Sequence, residues 1–175
     1  MTSKAVFVDR DDTLAKNVPY CDDPDKFHLF PGVPQAVKRL NDAGYLVIVI
    51  TNQSGIGRGY FDEATLQSVH DKLKRDVESG GGHIDDIFYC PHTPSDGCGC
   101  RKPEIGMGTA AVAKYDIDVS KSYMVGDSNA DMGFGKKLGC RKCYRVSKEY
   151  TFCDAVDDIL RRRGHFLGSI ATFFR

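Results

Sequence analysis

The chain has 175 residues, 41% hydrophobic and 27% charged, which is enough for one domain with a hydrophobic core (1–175) and hardly enough for two. Lysine plus arginine and aspartate plus glutamate number 24 each, and this balance argues against nucleic acid or anionic lipid as partners. No apolar segment reaches the ~20 residues that span a membrane, and the amino terminus does not resemble a signal peptide, so we expect a cytoplasmic protein whose seven cysteines are metal ligands or thiols.

Short apolar segments alternate with segments of helical periodicity, a pattern typical of a parallel sheet with helices on both faces. The predicted fold class is therefore α/β, a three-layer doubly wound parallel sheet. The insertions between elements are short, so no cap domain is expected. We predict strands at 5–8, 45–50, 84–89, 123–125 and 144–146, and helices that begin near residue 31, after Asp62 and at Met107.

Two carboxylates follow the first predicted strand. Asp9 and Asp11 come directly after it, and in an extended chain such side chains point the same way at a separation of ~7 Å. One carboxylate is then placed to attack a substrate while the other handles the proton, with a cation between them and an incoming anion. A solvated acidic turn explains this stretch equally well, so the later strands must decide.

Polar side chains also follow the later strands. Thr51 follows the second strand, Lys102 lies after the third, and Asp127 and Asp131 follow the fourth. Because ligands bind at the carboxyl ends of such strands, we expect these groups to converge with the first carboxylate pair. Either later aspartate alone is well explained as a helix cap. Several carboxylates together repel one another unless a cation neutralises them, and oxygen ligands favour Mg²⁺.

A cysteine-rich loop, 90–100, follows the third strand. Cys90, His92, Cys98 and Cys100 form a C-x-H…C-x-C pattern with five residues between its halves. Three thiolates and one imidazole complete a tetrahedral site, so the pattern predicts a closed structural Zn²⁺ rather than a catalytic zinc. The alternative, core cysteines plus a surface histidine, is disfavoured by the prolines and glycines of an exposed loop.

Five motifs then occur in order along residues 6–146: VDRDDT, TNQSGIGRGYF, CPH…CGCRKP, PEIGM and MVGDSNADM. In these motifs the chain resembles the haloacid-dehalogenase-type phosphatases. It is most similar to their capless branch, which acts on D-glycero-D-manno-heptose 1,7-bisphosphate or on histidinol phosphate. The resemblance implies a haloacid-dehalogenase-like Rossmannoid fold and Mg²⁺-dependent hydrolysis of phosphomonoesters through an aspartyl phosphate.

The resemblance also implies roles for individual residues. Asp9 would be the nucleophile, and Asp11 would protonate the leaving oxygen and later activate water. Thr51 and Lys102 would hold the transferring phosphoryl group. Mg²⁺ would bind Asp9, the backbone carbonyl of Asp11 and Asp127.

The resemblance also gives roles to residues that surround this centre. The cysteine loop would hold zinc, and Asp131 would orient Lys102 or the metal site. The rest of the substrate would be contacted by Asn17, Val18, Pro19, Tyr20, Asn52, Gln53, Ser54 and Arg101.

Asp12 departs from the family pattern, which usually has glycine at this position. A side chain there adds negative charge near the phosphate and removes a conformationally free residue, so we expect weaker catalysis. Substrate choice depends on other short features. The S-G-I-x-R-G stretch and the Gly-Met after Arg-Lys-Pro resemble the heptose bisphosphate enzymes, which favours removal of the 7-phosphate of D-glycero-D-manno-heptose 1,7-bisphosphate over histidinol phosphate or another small ester.

The second class of function is binding without catalysis. The protein would bind a phosphorylated ligand without hydrolysing it, or its zinc loop would recruit a protein or nucleic acid. A binding protein needs no nucleophile and acid together, and zero net charge with few aromatic residues near the loop argues against nucleic acid. We expect a monomer. The apolar tail, 166–175, would pack on the sheet or form a dimer.

Overall fold

The computed structural model describes residues 2–164. Strands and helices alternate along this part of the chain, and the predicted α/β class is confirmed. β2 extends two residues beyond the prediction, to Asn52, because Thr51 and Asn52 still pair with β3. The elements are β1 (Ala5–Val8), α1 (Val33–Asp42), β2 (Leu46–Asn52), α2 (Glu63–Ser79), β3 (Asp86–Cys90), α3 (Gly106–Tyr115), β4 (Tyr123–Gly126), α4 (Asn129–Leu138), β5 (Lys142–Arg145) and α5 (Phe152–Gly164).

All five strands are parallel, in the order β3-β2-β1-β4-β5. β1 is the central strand, and Val6 is in register with Val47 of β2 and with Tyr123 of β4. The chain moves outward from β1 in both directions, so the strand order reverses between β1 and β4. In doubly wound sheets this switch point leaves a crevice at the carboxyl ends of the two strands, and ligands bind there.

The alternation of side chains along β1 divides the core into two layers. Val6 and Val8 pack with α1, α2 and α5, whereas Ala5 and Phe7 pack with α3 and α4. Phe7 contacts Phe134 of α4 edge to face, with ring centroids 6.2 Å apart. All four residues of β1 are inaccessible to solvent, as expected for a strand covered on both sides.

The predicted cap of α2 is confirmed, because the Asp62 carboxylate accepts a hydrogen bond from the backbone N–H of Thr65 (2.8 Å). Among residues 2–164, no helix combines the length and the apolar character that crossing a membrane requires. The tail 166–175, predicted to pack on the sheet or against a second copy, lies outside the described residues.

Candidate active site

The first carboxylate of the predicted site lies at the centre of the sheet. Asp9 follows β1, and its backbone N–H donates to the carbonyl of Val125 in β4 (3.0 Å). The residue is 8% exposed, and one carboxylate oxygen lies 2.6 Å from Nζ of Lys102. Strand pairing therefore fixes the backbone of Asp9 and leaves its carboxylate largely buried.

Lys102 places a positive charge between two carboxylates. Its buried Nζ donates to Asp9 and Asp131 at 2.6 Å each and to the carbonyl of Ile50 at 2.7 Å. The Asn52 amide accepts from the backbone N–H of Lys102 (3.0 Å) and donates to its carbonyl (3.3 Å). Burial disfavours the charged amine, but Asp9 and Asp131 outweigh burial and raise the pKa of Lys102. The amine is thus held in place and charged.

Three carboxylates lie close together here, and two of them, those of Asp9 and Asp131, accept from Lys102. Oxygens of Asp9, Asp127 and Asp131 lie within 4.8 Å of one another; we call these residues the acidic cluster. Burial raises the pKa of Asp9 to about 7 although Lys102 opposes the shift, and burial followed by Asp131 raises the pKa of Asp127. The acidic cluster carries more negative charge than Lys102 neutralises. Hard oxygen donors at this spacing fit a divalent cation such as Mg²⁺.

Within the acidic cluster, Asp131 has hydrogen-bond partners for both carboxylate oxygens. One oxygen accepts from Lys102, and the other accepts from the hydroxyl (2.6 Å) and the backbone N–H (3.0 Å) of Ser128. A side chain at Gly126 would place Cβ 2.4 Å from the carboxyl carbon of Asp131, so glycine permits this close approach. Both oxygens of Asp131 are therefore fixed, one by Lys102 and the other by Ser128.

Two polar residues that sequence reasoning missed support the end of β4. Ser128 is the N-cap of α4 in a reciprocal capping box with Asp131, and its S-x-x-D spacing was a signal that could have identified it. Arg145 donates from Nε to the carbonyl of Asp127 (3.0 Å) and from Nη1 to Asn129 (2.8 Å). No local pattern marks Arg145, because only the pairing of β4 with β5 brings it there.

Asp11 lies beyond the end of the first strand. β1 ends at Val8 and the chain turns at residues 12–14, so the pair of side chains does not continue an extended strand. The Asp11 carboxylate accepts hydrogen bonds from Nε and Nη2 of Arg10 (3.0–3.2 Å) and from Gln53 (3.0 Å). The carboxylate oxygens that lie within 4.8 Å of Asp9 and of one another are those of Asp127 and Asp131, in the acidic cluster.

Gln53 is buried, whereas the resemblance places it against the substrate. The residue is 5% exposed, and its amide Nε2 donates to Oγ1 of Thr51 (2.8 Å) and to the Asp11 carboxylate (3.0 Å). Both amide hydrogens are therefore used within the protein. We assign no substrate contact to Gln53, because its side chain faces Thr51 and Asp11.

A pocket of about 190 Å³ opens at this edge of the sheet. Two of the residues expected to contact the rest of the substrate line it, Asn17 and Asn52. The full lining is Asp9, Asp11, Asp12, Asn17, Thr51, Asn52, Lys102, Asp127 and Ser128. Outside the lining lie Val18, Pro19, Tyr20, Gln53, Ser54 and Arg101.

Asp12 has a left-handed backbone conformation (φ 56°), which explains why glycine suits this position in the family. The exposed Asp12 carboxylate lines the pocket and accepts a hydrogen bond from the backbone N–H of Asn17 (3.1 Å). The side chain brings the expected negative charge to the site. It also anchors the start of the loop that carries Asn17, which the sequence did not indicate.

The four predicted zinc ligands lie together beside β3. The three sulfurs of Cys90, Cys98 and Cys100 are 3.1–3.5 Å apart, and Nδ1 of His92 lies 3.2 Å from Cys100 and 3.5 Å from Cys90. A tetrahedral site with Zn–S bonds of about 2.3 Å has edges just under 4 Å. Desolvation opposes ionisation of Cys98, yet bonds from the backbone of Arg101 and Cys100 lower its pKa to about 6. Geometry and donor chemistry both fit zinc.

The cysteine loop also contacts two segments near the pocket. Arg101 donates from Nη1 to the carbonyl of the zinc-ligand candidate His92 (3.2 Å). The backbone N–H of Gly57, in the loop after β2, donates to the carbonyl of Pro91 (2.9 Å). The cysteine loop therefore orients the Arg101 side chain and supports the loop that follows Thr51.

Comparison with known families decides what kind of protein carries this site. The family model described as Polynucleotide kinase 3 phosphatase matches residues 4–156. The chain belongs to this family of haloacid-dehalogenase-type phosphatases. Its acidic cluster thus lies where the sequence placed the family's motifs, at the ends of β1 and β4.

Known relatives share most of this chain. The D-glycero-beta-D-manno-heptose-1,7-bisphosphate 7-phosphatase of Bordetella bronchiseptica is 42% identical over 138 residues, which is 78% of this chain and 77% of the relative. The enzyme of the same name from Haemophilus ducreyi is 42% identical over 148 residues, 81% of each chain. A crystal structure of D,D-heptose 1,7-bisphosphate phosphatase from B. bronchiseptica, complexed with magnesium and phosphate, has a TM-score of 0.83 and 34% identity, with 91% of this chain and 99% of that chain covered.

Proposed function

We propose that this chain is a Mg²⁺-dependent phosphatase that removes the 7-phosphate of D-glycero-D-manno-heptose 1,7-bisphosphate through an aspartyl phosphate. The observation that carries the proposal is the buried Asp9 carboxylate at the switch point of the sheet, 2.6 Å from Lys102 and within 4.8 Å of two further carboxylates. A nucleophile, a fixed cation and a metal-binding set together suit phosphoryl transfer.

In the first half of the reaction, a carboxylate oxygen of Asp9 attacks the phosphorus and the bond to the sugar oxygen breaks. Asp11 gives its proton to that departing oxygen. In the second half, the ionised Asp11 takes a proton from water, whose oxygen attacks the phosphorus of the aspartyl phosphate. The bond between Asp9 and phosphorus then breaks, and inorganic phosphate leaves with both aspartates restored.

Positive and donor groups around Asp9 would stabilise the transferring phosphoryl group. Lys102 contributes its charged amine, and the Thr51 hydroxyl lines the same pocket. Asp9, Asp127 and the backbone carbonyl of Asp11 would hold Mg²⁺, which when bound offsets the negative charge of the phosphoryl oxygens. Asp131 would keep Lys102 in place. Zinc on the cysteine loop would be structural, since four protein ligands leave no open position.

The substrate assignment rests on the relatives and on the charge of the pocket. Relatives at about 40% identity carry the name of the heptose bisphosphate 7-phosphatase. The family name refers to a polynucleotide 3 phosphatase, but Lys102 is the one cation among the described residues that line the pocket, whereas a groove for a nucleic acid backbone needs several. A small ester held in the pocket by Asn17 and Asn52, with Arg101 reaching its far end from outside the lining, fits better. We further propose that the protein acts in the cytoplasm as a monomer.

Phosphate release tests this proposal. The purified protein is assayed with Mg²⁺ against the heptose 1,7-bisphosphate, histidinol phosphate and an oligonucleotide 3′-phosphate, with Asp9→Asn as the control. We expect turnover of the heptose bisphosphate well above the others and none in the control. Preference for histidinol phosphate or the oligonucleotide would overturn the substrate assignment, and release that persists in Asp9→Asn would overturn the mechanism.

A further inference from the structure

Arg10 is an unusual residue to bury beside an active site. It is 1% exposed, its guanidinium lies 5.7 Å from the ring centroid of Phe27, and the aromatic contact supplies no counter-charge. Burying such a charge is unfavourable unless a carboxylate compensates it. The carboxylate that Arg10 contacts is Asp11, at 3.0–3.2 Å from Nε and Nη2. The protein thus pairs a buried cation with the proposed proton donor.

Gln53, the residue directly after β2, completes the surroundings of Asp11. Its Nε2 donates to Oδ2 of Asp11 (3.0 Å) and to Oγ1 of Thr51 (2.8 Å). Oδ1 of Asp11 receives hydrogen bonds from Arg10, whereas Oδ2 receives them from both partners. Arg10 and Gln53 together fix the plane of the Asp11 carboxylate. The Asp11 side chain is still 24% exposed and lines the pocket, so it remains open to the substrate.

We propose that Arg10 and Gln53 form a clamp that positions the Asp11 carboxylate for proton transfer, and that Gln53 is a positioning residue rather than a substrate contact. This inference rests on the proposed function. The Asp11 carboxyl group gives its proton to the sugar oxygen, and the carboxylate so formed later takes one from water, so this group has to reach both oxygens within hydrogen-bond distance. The rigid fork of arginine and the amide of Gln53 hold it there without moving Asp9.

The clamp predicts a leaving-group effect. Gln53→Met removes both donors with little change in volume, so Asp11 loses one of its two partners. Single-turnover rates of leaving-group release are compared for an alkyl phosphate, whose oxygen needs a proton, and 4-nitrophenyl phosphate, whose leaving group departs as an anion. We expect a loss of about 10- to 100-fold for the alkyl ester and less than about threefold for the aryl ester, with KM within twofold.

Two further variants separate positioning from packing. Arg10→Lys keeps the charge but loses the fork, and the same bias against the alkyl ester is expected. Gln67→Met makes the same change on the exposed side of α2, where Gln67 pairs with Asp71, and it should leave both rates unchanged. Equal losses for both esters in Gln53→Met would show general damage and overturn the clamp. A raised KM with unchanged turnover would make Gln53 a substrate contact and overturn it too.

A readout without turnover distinguishes this inference from the proposed function. The side-chain N–H resonances of Arg10 and Gln53 should be protected from exchange in the wild type and should shift in Asp11→Asn. If they do not respond, the clamp is wrong whatever the activity. If they respond but the wild type releases no leaving group from either ester, the proposed function fails, and the role of the clamp in proton transfer fails with it.

Discussion

The acidic cluster and the cysteine loop both gather metal-binding side chains, but different parts of the chain hold them. The carboxylates of the acidic cluster follow β1 and β4 and begin α4, and the buried amine of Lys102 already compensates part of their charge. In the cysteine loop, Cys90 ends β3, while His92, Cys98 and Cys100 belong to a segment with one short 3-10 turn, 94–96. The sheet therefore positions the acidic cluster, whereas the structure of the cysteine loop depends on its four metal-binding residues.

This difference separates the effects of the two metals. Removing Mg²⁺ should abolish activity and leave the fold intact, because the strands position the carboxylates. Loss of zinc should loosen the loop, since the folding free energy of such segments comes largely from the metal. Lys102 connects the regions, because it follows the cysteine loop by two residues yet points into the acidic cluster.

The largest effect is expected from Lys102→Met. Asp9 and Asp131 would lose their shared cation inside the protein, which typically costs 3–5 kcal/mol of the free energy of unfolding. Turnover should fall by about 10³-fold. Urea unfolding and phosphate release measure both quantities. Lys137→Met removes an exposed ion pair with Glu104 and should change the free energy of unfolding by less than about 1 kcal/mol. Similar effects in the two variants would contradict the account.

A smaller effect on catalysis is expected when the cysteine loop is broken. Cys98→Ser should lower zinc content and reduce the melting temperature by about 5 °C or more. KM should rise by roughly tenfold, because Arg101 depends on this loop, whereas turnover should change little. Metal analysis, calorimetry and initial rates test this. Cys153→Ser, at a thiol far along the chain in α5, is the matched control and should keep zinc and KM at wild-type values. Full zinc content in Cys98→Ser would refute the ligand assignment.

Gly126→Ala probes how closely the acidic cluster is packed. The new methyl group would overlap the Asp131 carboxyl, so Asp131 or the backbone at residue 126 must shift, which disturbs the contact of Asp131 with Lys102. We expect a loss of about 1–3 kcal/mol in stability and roughly tenfold in turnover, with normal zinc content. A variant with unchanged turnover would mean that the Asp131 contact does not matter for Lys102.

The smallest effect is expected from Asp12→Gly. One exposed charge near the phosphate is screened by solvent and contributes less than about 1 kcal/mol, so turnover should rise by roughly threefold. Loss of the hydrogen bond between Asp12 and Asn17 would instead lower turnover. Steady-state rates decide between the two, and a fall in turnover would show that anchoring of the loop outweighs the charge.

Sequence reasoning predicted the sheet and the position of Asp9 and Asp127 because apolar segments mark buried strands, and polar residues that follow such strands meet at one edge. The zinc-ligand pattern of the cysteine loop could also be recognised in the sequence, because all four residues lie within one short segment. The bonds of the Asp11 carboxylate to Arg10 and Gln53 were not predicted, because the segment after β1 turns and brings these side chains together. The burial of Gln53 and the contact of Arg145 with Asp127 depend on which strands become neighbours, and no local pattern encodes that information.

The central claim is that Asp9 becomes phosphorylated, and chemical trapping tests it most directly. Borohydride added during turnover with Mg²⁺ and the heptose bisphosphate reduces an acyl phosphate to an alcohol, and mass spectrometry of the peptides locates the reduced residue. The account predicts conversion of Asp9 to homoserine, dependent on substrate and metal. Reduction at Asp11 or another carboxylate, or steady phosphate release with no residue reduced, would contradict it.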